Sequence, residues 1–213
     1  MQCPDGAVTD PSGGVRRFSL TALTSEPWRN SGGVTRTVAV GGQTDADGWA
    51  WRISIADIAR DGPFSIFPGR DRHLALIDGN GIALRGDTAI RLADVGAVAS
   101  FRGDDAYDAS LIDGPARVWN LMTERRSTFG SIQKRTGSIE RLMQPGALVS
   151  CVYVIAAVYR LQMPDRDHVD LHTGDGVVFE RFIDATRLSS ADANAAVLVT
   201  QVALRPTPIR ARR

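Results

Sequence analysis

The segment WAWRISIADI, residues 49–58, places Trp49, Trp51, Ile53 and Ile55 on one face and Ala50, Arg52, Ser54 and Ala56 on the other. Successive side chains of an extended chain point to opposite sides, so this period of two reads as a half-buried β-strand. Short β-rich runs recur along the rest of the sequence: HLALIDGNGIALR with a turn at 78–81, TAIRLAD, ARVWNLM, ALVSCVYVIAAVYRL, DGVVFERF and AAVLVTQVALR. Gly and Asp punctuate nearly every join. Only SSADANAA, beginning at Ser189, suits a short helix. A parallel sheet would need crossover helices, so the pattern predicts an all-β antiparallel sandwich or barrel.

With 213 residues and 43% hydrophobic composition, the chain can bury a sizeable core in one or two domains. Its 25 basic and 24 acidic residues leave a formal net charge of +1, so no global field draws it to nucleic acid or to an anionic membrane. Charge recognition is therefore local. The two cysteines are Cys3, in a polar start, and Cys151, in an apolar run, which argues against a disulfide framework and for a cytoplasmic setting. Residues 1–17, MQCPDGAVTDPSGGVRR, read as a disordered leader without the apolar core of a signal peptide. Residues 206–213 read as a basic tail. The longest apolar run, 147–159, is shorter than a membrane span and suits a buried strand.

Two motifs narrow the architecture. FSIFPGRDRHLALIDGNGIALR resembles the frame of the first motif of cupins, small jelly-roll barrels in which two histidines and a glutamate hold a metal. In that frame Arg72, separated from Gly79 by six residues, stands at the glutamate position, and Ser65 and Phe67 stand where the histidines would be. Neither arginine nor phenylalanine ligates a divalent cation, so this half is expected to be metal-free. LHTGDGVVF, residues 171–179, resembles the second cupin motif and has no histidine where a ligand would fall. Two such frames imply a cupin-like (RmlC-like) bicupin, two β-barrels in one chain, with halves at about 18–115 and 116–205.

The blocks PWRNSGGVTR, WRISIADIARDGPFSIFPGRDR, LIDGNGIAL and DGPARVWNLM, in this order, resemble the HutD family, also known as Ves. The match runs from about residue 18 to 205. Arg29 stands where the family usually has Lys, Ser31 where it has Gly, and Val118 and Trp119 where it has an Asp-Phe pair. The resemblance implies a metal-poor, cofactor-free protein linked to bacterial histidine utilisation. It would moderate that pathway by binding an acidic intermediate such as formylglutamate, its partner being a small acidic metabolite and not nucleic acid or membrane. No catalytic residue set carries over, and a homodimer is compatible with the reading.

A carboxylate site needs a guanidinium, which grips two oxygens at once and stays charged when desolvated, with hydroxyl and amide donors around it. Arg52 and Arg72 are the expected carboxylate ligands, Ser54, Ser65 and Asn30 the orienting donors, and Trp28 or Phe67 a wall. Arg29 joins them through PWRN, and Gly32-Gly33 lets backbone approach an anion. Structural roles compete with each assignment. Arg52 and Ser54 would face solvent if the polar side of their strand lay outside, Arg72 would pair with Asp57 or Asp71, and the glycines would serve a turn or bulge. An enzymatic alternative, a cofactor-free isomerase or hydrolase, would use Asp57 or Asp71 with a raised pKa as acid or base. His168 and His172 lie on a strand start, spaced too widely for easy chelation.

Overall fold

The computed structural model describes residues 8–9, 14–42, 48–164 and 166–206, which are organised as four β-sheets and one short 3₁₀ turn at Leu20–Ala22. The first large sheet contains β3 (Glu26–Pro27), β4 (Gly33–Gly41), β5 (Trp51–Ile58), β7 (Arg70–Asp78), β10 (Val98–Arg102) and β12 (Ala116–Glu124), in the order β10-β7-β12-β5-β4-β3. A smaller sheet faces it, with β6 (Gly62–Pro63), β8 (Ile82–Arg85), β9 (Ala89–Leu92) and β11 (Asp108–Leu111) in the order β6-β11-β8-β9.

The second large sheet holds β1 (Val8–Thr9), β2 (Val15–Ser19), β13 (Thr128–Thr136), β15 (Ala147–Ala156), β18 (Asp175–Phe179) and β20 (Ala196–Leu204), in the order β1-β2-β18-β15-β20-β13. Its smaller companion is β14 (Ile139–Glu140), β16 (Val158–Gln162), β17 (Val169–His172) and β19 (Arg187–Ser189), in the order β14-β19-β16-β17. Advancing every label by eight turns β10-β7-β12-β5 into β18-β15-β20-β13 and β6-β11-β8-β9 into β14-β19-β16-β17. The same eight-strand unit therefore occurs twice, as open sandwiches, and no sheet closes into a barrel among the described residues.

Three apolar clusters show how the layers stack. Ile58, Leu74, Leu76, Ile82, Leu84 and Val118 fill the first sandwich, and Val152, Val154, Tyr159, Leu161, Phe179 and Val197 fill the second. The largest lies between the two large sheets, where Trp51, Ile53, Ile55 and Trp119 meet Val149, Cys151, Tyr153, Leu198 and Val202. Trp119 stacks on Tyr153 at 4.9 Å and donates from Nε1 to Thr200 Oγ1 at 2.8 Å, so its one polar atom is satisfied inside this seam. Both faces of each large sheet are thus covered, and the polar side of β5 faces the interior of the first sandwich instead of solvent.

Several expectations need correction. The boundary does not fall at 115/116, because β12 lies between β5 and β7 in the first large sheet. Residues 15–17, assigned to a leader, belong to β2, which pairs with β18; residues 1–7 and 10–13 lie outside the described set, as do 207–213 of the tail. The apolar run at 147–159 is shared between two strands, β15 and β16, broken at Ala157, whose φ of 64° turns the chain. SSADANAA forms no helix: Asp192 Oδ1 accepts from Asn194 N and Ser190 Oγ from Asp192 N, local bonds that hold a loop.

Candidate functional site

Three neighbouring strands build a graded floor. The register sets Met122 between Arg52 and Arg72 as the first row, and Asn120 between Ser54 and Leu74 as the second. Ala56 pairs with Val118, and Val118 with Leu76, in the third. The inward face of this sheet thus passes from cations through hydrogen-bonding groups to apolar side chains. It opens on a cleft of about 440 Å³, lined also by Glu26, Trp28, Arg29, Asn30, Phe64, Ser65 and Phe67. All eight residues selected from the sequence, Trp28, Arg29, Asn30, Arg52, Ser54, Ser65, Phe67 and Arg72, line this one cleft.

Arg72 is 6% exposed. Its Nη1 donates to the Ser65 carbonyl at 3.2 Å and its Nη2 to Asn120 Oδ1 at 3.5 Å. The guanidinium carbon sits 5.2 Å from the Phe64 ring, 5.4 Å from Phe67 and 5.2 Å from Phe101, close enough for the ring faces to attract the cation. Arg52 lies 5.2 Å from Trp49 and 5.8 Å from Phe67, so the Phe67 ring serves both guanidiniums. Among the described residues no carboxylate forms an ion pair with either arginine, and the Nε of each is buried without an acceptor. Burial pushes the Arg72 pKa down to about 10, with repulsion from Arg52 adding to it, and burial also lowers that of Arg52 against the opposing pull of Glu26. The charged forms are held at a cost that a bound anion would offset.

The competing partners are engaged elsewhere. Asp57 bonds to Arg36 and Arg117, and Asp71 to Arg125 and Arg205. Neither lines the cleft, and Asp57 is not the raised acid that the enzymatic alternative requires. Burial favours its protonated form, but hydrogen bonds from Arg117 and Arg36 outweigh that and leave its pKa below the ordinary value.

The PWRN turn is a wall fastened by its own bonds. Trp28 Nε1 donates to Thr35 Oγ1 at 2.7 Å, Asn30 Oδ1 accepts from Gly32 N at 2.9 Å, and Arg60 holds the Ser31 carbonyl at 2.6 Å. Neither Gly32 nor Gly33 is among the residues that line the cleft. A Cβ on Gly33 would stand 2.2 Å from the Asp57 carbonyl oxygen, so this glycine serves strand approach. Ser31, where the resemblance expects glycine, has φ of 53°. Ser65 offers its carbonyl to Arg72, although it was selected for its hydroxyl. Arg29 stands exposed at the rim.

Asn120, which lies on the DGPARVWNLM block, was given no place in the expected ligand shell. It is 5% exposed and donates from Nδ2 to Ser54 Oγ at 3.4 Å, joining that hydroxyl to Arg72. The signal was an amide in the middle of the apolar run VWNLM. Val118, where the resemblance expects an acidic residue, leaves the inner end of the cleft apolar.

Among the described residues, the corresponding place in the second sandwich is filled by side chains. There the matching row is Gln201 between Ser131 and Ser150, with no cation. The Leu142 carbonyl, two residues past β14 as Ser65 is two past β6, accepts from Ser150 Oγ at 2.6 Å and from Gln201 Nε2 at 3.4 Å. Leu142 and Met143 are buried in the core of that sandwich and fill the space. Among the described residues no cluster of His, Cys, Asp or Glu suits a metal ion, and no helix is long and apolar enough to cross a membrane.

An all-β protein of two stacked sandwiches, one of which opens on an arginine-lined cleft, shares its fold with several solved structures. Solved structures sharing its fold include protein YlbA from Escherichia coli, with a TM-score of 0.68 at 9% identity over 95% of this chain and 96% of that one. Oxalate decarboxylase OxdC from Bacillus subtilis follows at 0.57 and 8%, over 93% of this chain and 79% of that one. The chain belongs to the HutD family, whose model matches residues 20–198. HutD from Pseudomonas fluorescens SBW25 superposes with a TM-score of 0.76 at 23% identity, covering 90% of this chain and all of that one. Protein Ves of Citrobacter koseri is 29% identical over 146 residues, 68% of this chain and 74% of its own length. An uncharacterised 21.2 kDa protein from the hutC 3′ region of Pseudomonas putida is 36% identical over 98 residues, 45% of this chain; the match spans about half the length of that relative, 51%.

Proposed function

We propose that the cleft binds a small carboxylate and that the protein moderates histidine utilisation by sensing an acidic intermediate of that pathway, such as formylglutamate. The observation that carries this reading is the Arg72 guanidinium, buried beside Arg52 with no carboxylate among the described residues paired to either. A protein keeps two desolvated cations side by side at a cost, and an anionic ligand offsets it with charge-assisted hydrogen bonds. HutD of Pseudomonas fluorescens was solved in a formate condition, and formate is the smallest ligand of this class. The repeated eight-strand order supports two cupin-like jelly rolls in one chain, and the cleft with the two arginines lies in the first. The two-cysteine composition supports a cytoplasmic setting.

Calorimetric titration of the chelator-treated protein with histidine, urocanate, formiminoglutamate, formylglutamate and glutamate tests the proposal, with each mixture checked afterwards for chemical change. One acidic intermediate should bind saturably, unaltered, at one molecule per chain. No binding by any of the five would overturn the reading, and turnover of one would replace sensing with catalysis.

A further inference from the structure

We propose that Asn120 is the positioning residue that keeps the cleft cationic and selective for an ionised acceptor, an inference that rests on the carboxylate-binding reading above. The amide sits mid-strand between Met122 and Val118 on the inward face and is almost wholly buried. A polar group in such a place is retained only with partners, and it has two. Arginine carries donors alone, so Oδ1 must face Arg72 and Nδ2 must face Ser54, as the contacts have it.

Two consequences follow from that orientation. Asparagine accepts from Arg72 without neutralising it, whereas the isosteric aspartate would supply the missing counter-charge and occupy the guanidinium itself. The amide also donates to Ser54 Oγ, the only hydrogen bond of that buried hydroxyl among the described residues, so the Ser54 hydrogen is left to point at an acceptor in the cleft. Arg52, Arg72 and Ser54 then offer donors together, an arrangement suited to a carboxylate and unsuited to its protonated or amidated forms.

The test compares the wild-type chain with Asn120→Asp, using sodium formate as the probe and sodium chloride at equal ionic strength as the control. Urea midpoints are read with and without formate, since a ligand that binds only the folded state raises the midpoint. We expect the variant to be more stable than wild type in chloride and its formate affinity to fall by roughly a hundredfold, the scale on which charge-assisted bonds convert to affinity. A gain of stability with loss of binding is a pair of signs that a merely structural asparagine would not produce. A variant that answers formate as wild type does, or that is less stable in chloride, overturns the proposal. If wild type itself answers neither formate nor the five metabolites, the binding reading falls and the selectivity proposed here falls with it. A responsive wild type beside a responsive variant sinks this proposal alone.

Discussion

Replacing Arg72 by methionine separates a ligand-binding arginine from a structural one, because the two predict different stabilities. The drop in the Arg72 pKa to about 10 corresponds to roughly 3 kcal/mol against the charged form in the folded state. Against this stand the bond to the Ser65 carbonyl, about 1 kcal/mol, and a longer one to Asn120 that adds little. The three ring faces contribute about 0.5–1 kcal/mol each. The favourable and unfavourable contributions nearly cancel, and methionine fills most of the vacated volume with an apolar, flexible stem. Arg72→Met should therefore unfold in urea within about 1 kcal/mol of the parent, with an unchanged slope, and should no longer respond to a carboxylate. An arginine paired to a buried carboxylate would cost about 3–5 kcal/mol on removal. A measured loss on that scale would refute the view that the missing partner of Arg72 is a ligand.

Asp57→Asn should lower stability at neutral pH and flatten its decline in acid. The folded pKa lies below the unfolded one, so the contribution of Asp57 is complete above the ordinary carboxylate value and is lost as pH falls through the folded value. Urea midpoints between about pH 5 and pH 3 check this; a variant as acid-sensitive as the parent would show that the Arg36–Asp57–Arg117 cluster adds nothing. Gly33→Ala should cost about 1–3 kcal/mol, since the obstacle is backbone that cannot swing aside. Ser31→Gly should gain about 1 kcal/mol by relieving the left-handed conformation, with melting curves of both variants deciding whether the turn is built as described.

What could be read from the sequence was whatever repeats at short range. The alternation in WAWRISIADI fixed which side of β5 carries Arg52 and Ser54, although Trp49 precedes the strand and lies over Arg70 at 3.9 Å. The glycine-rich turn before Ile82 and the cation at Arg72 were equally local signals. Features set by distant chain were hidden. VRRFS looks like solvated coil because the bonds that bury Arg16, including Nη2 to the Val38 carbonyl at 2.7 Å, come from another sheet. The pairing of Asp57 and Asp71 with arginines from distant segments could not be seen in either neighbourhood. The role of Asn120 depends on Ser54 and Arg72 arriving from strands on either side of it.

The segment before β5 lays β2 along one large sheet and β4 along the other, and this sets the order in which the molecule can be completed as it is synthesised. Phe18 precedes the strands of the cleft in the chain, yet its partner across the ladder is Gly176. The strands that line the cleft, ending with β12, are all available well before that, but Trp51, Ile53 and Ile55 on their reverse side find cover only when 149–202 arrives. Closure of such distant pairs is slow, and the half-made chain exposes an apolar sheet face meanwhile. A chain made only as far as β12 would therefore expose this face, and the pairing of β15 with β20 is what covers it.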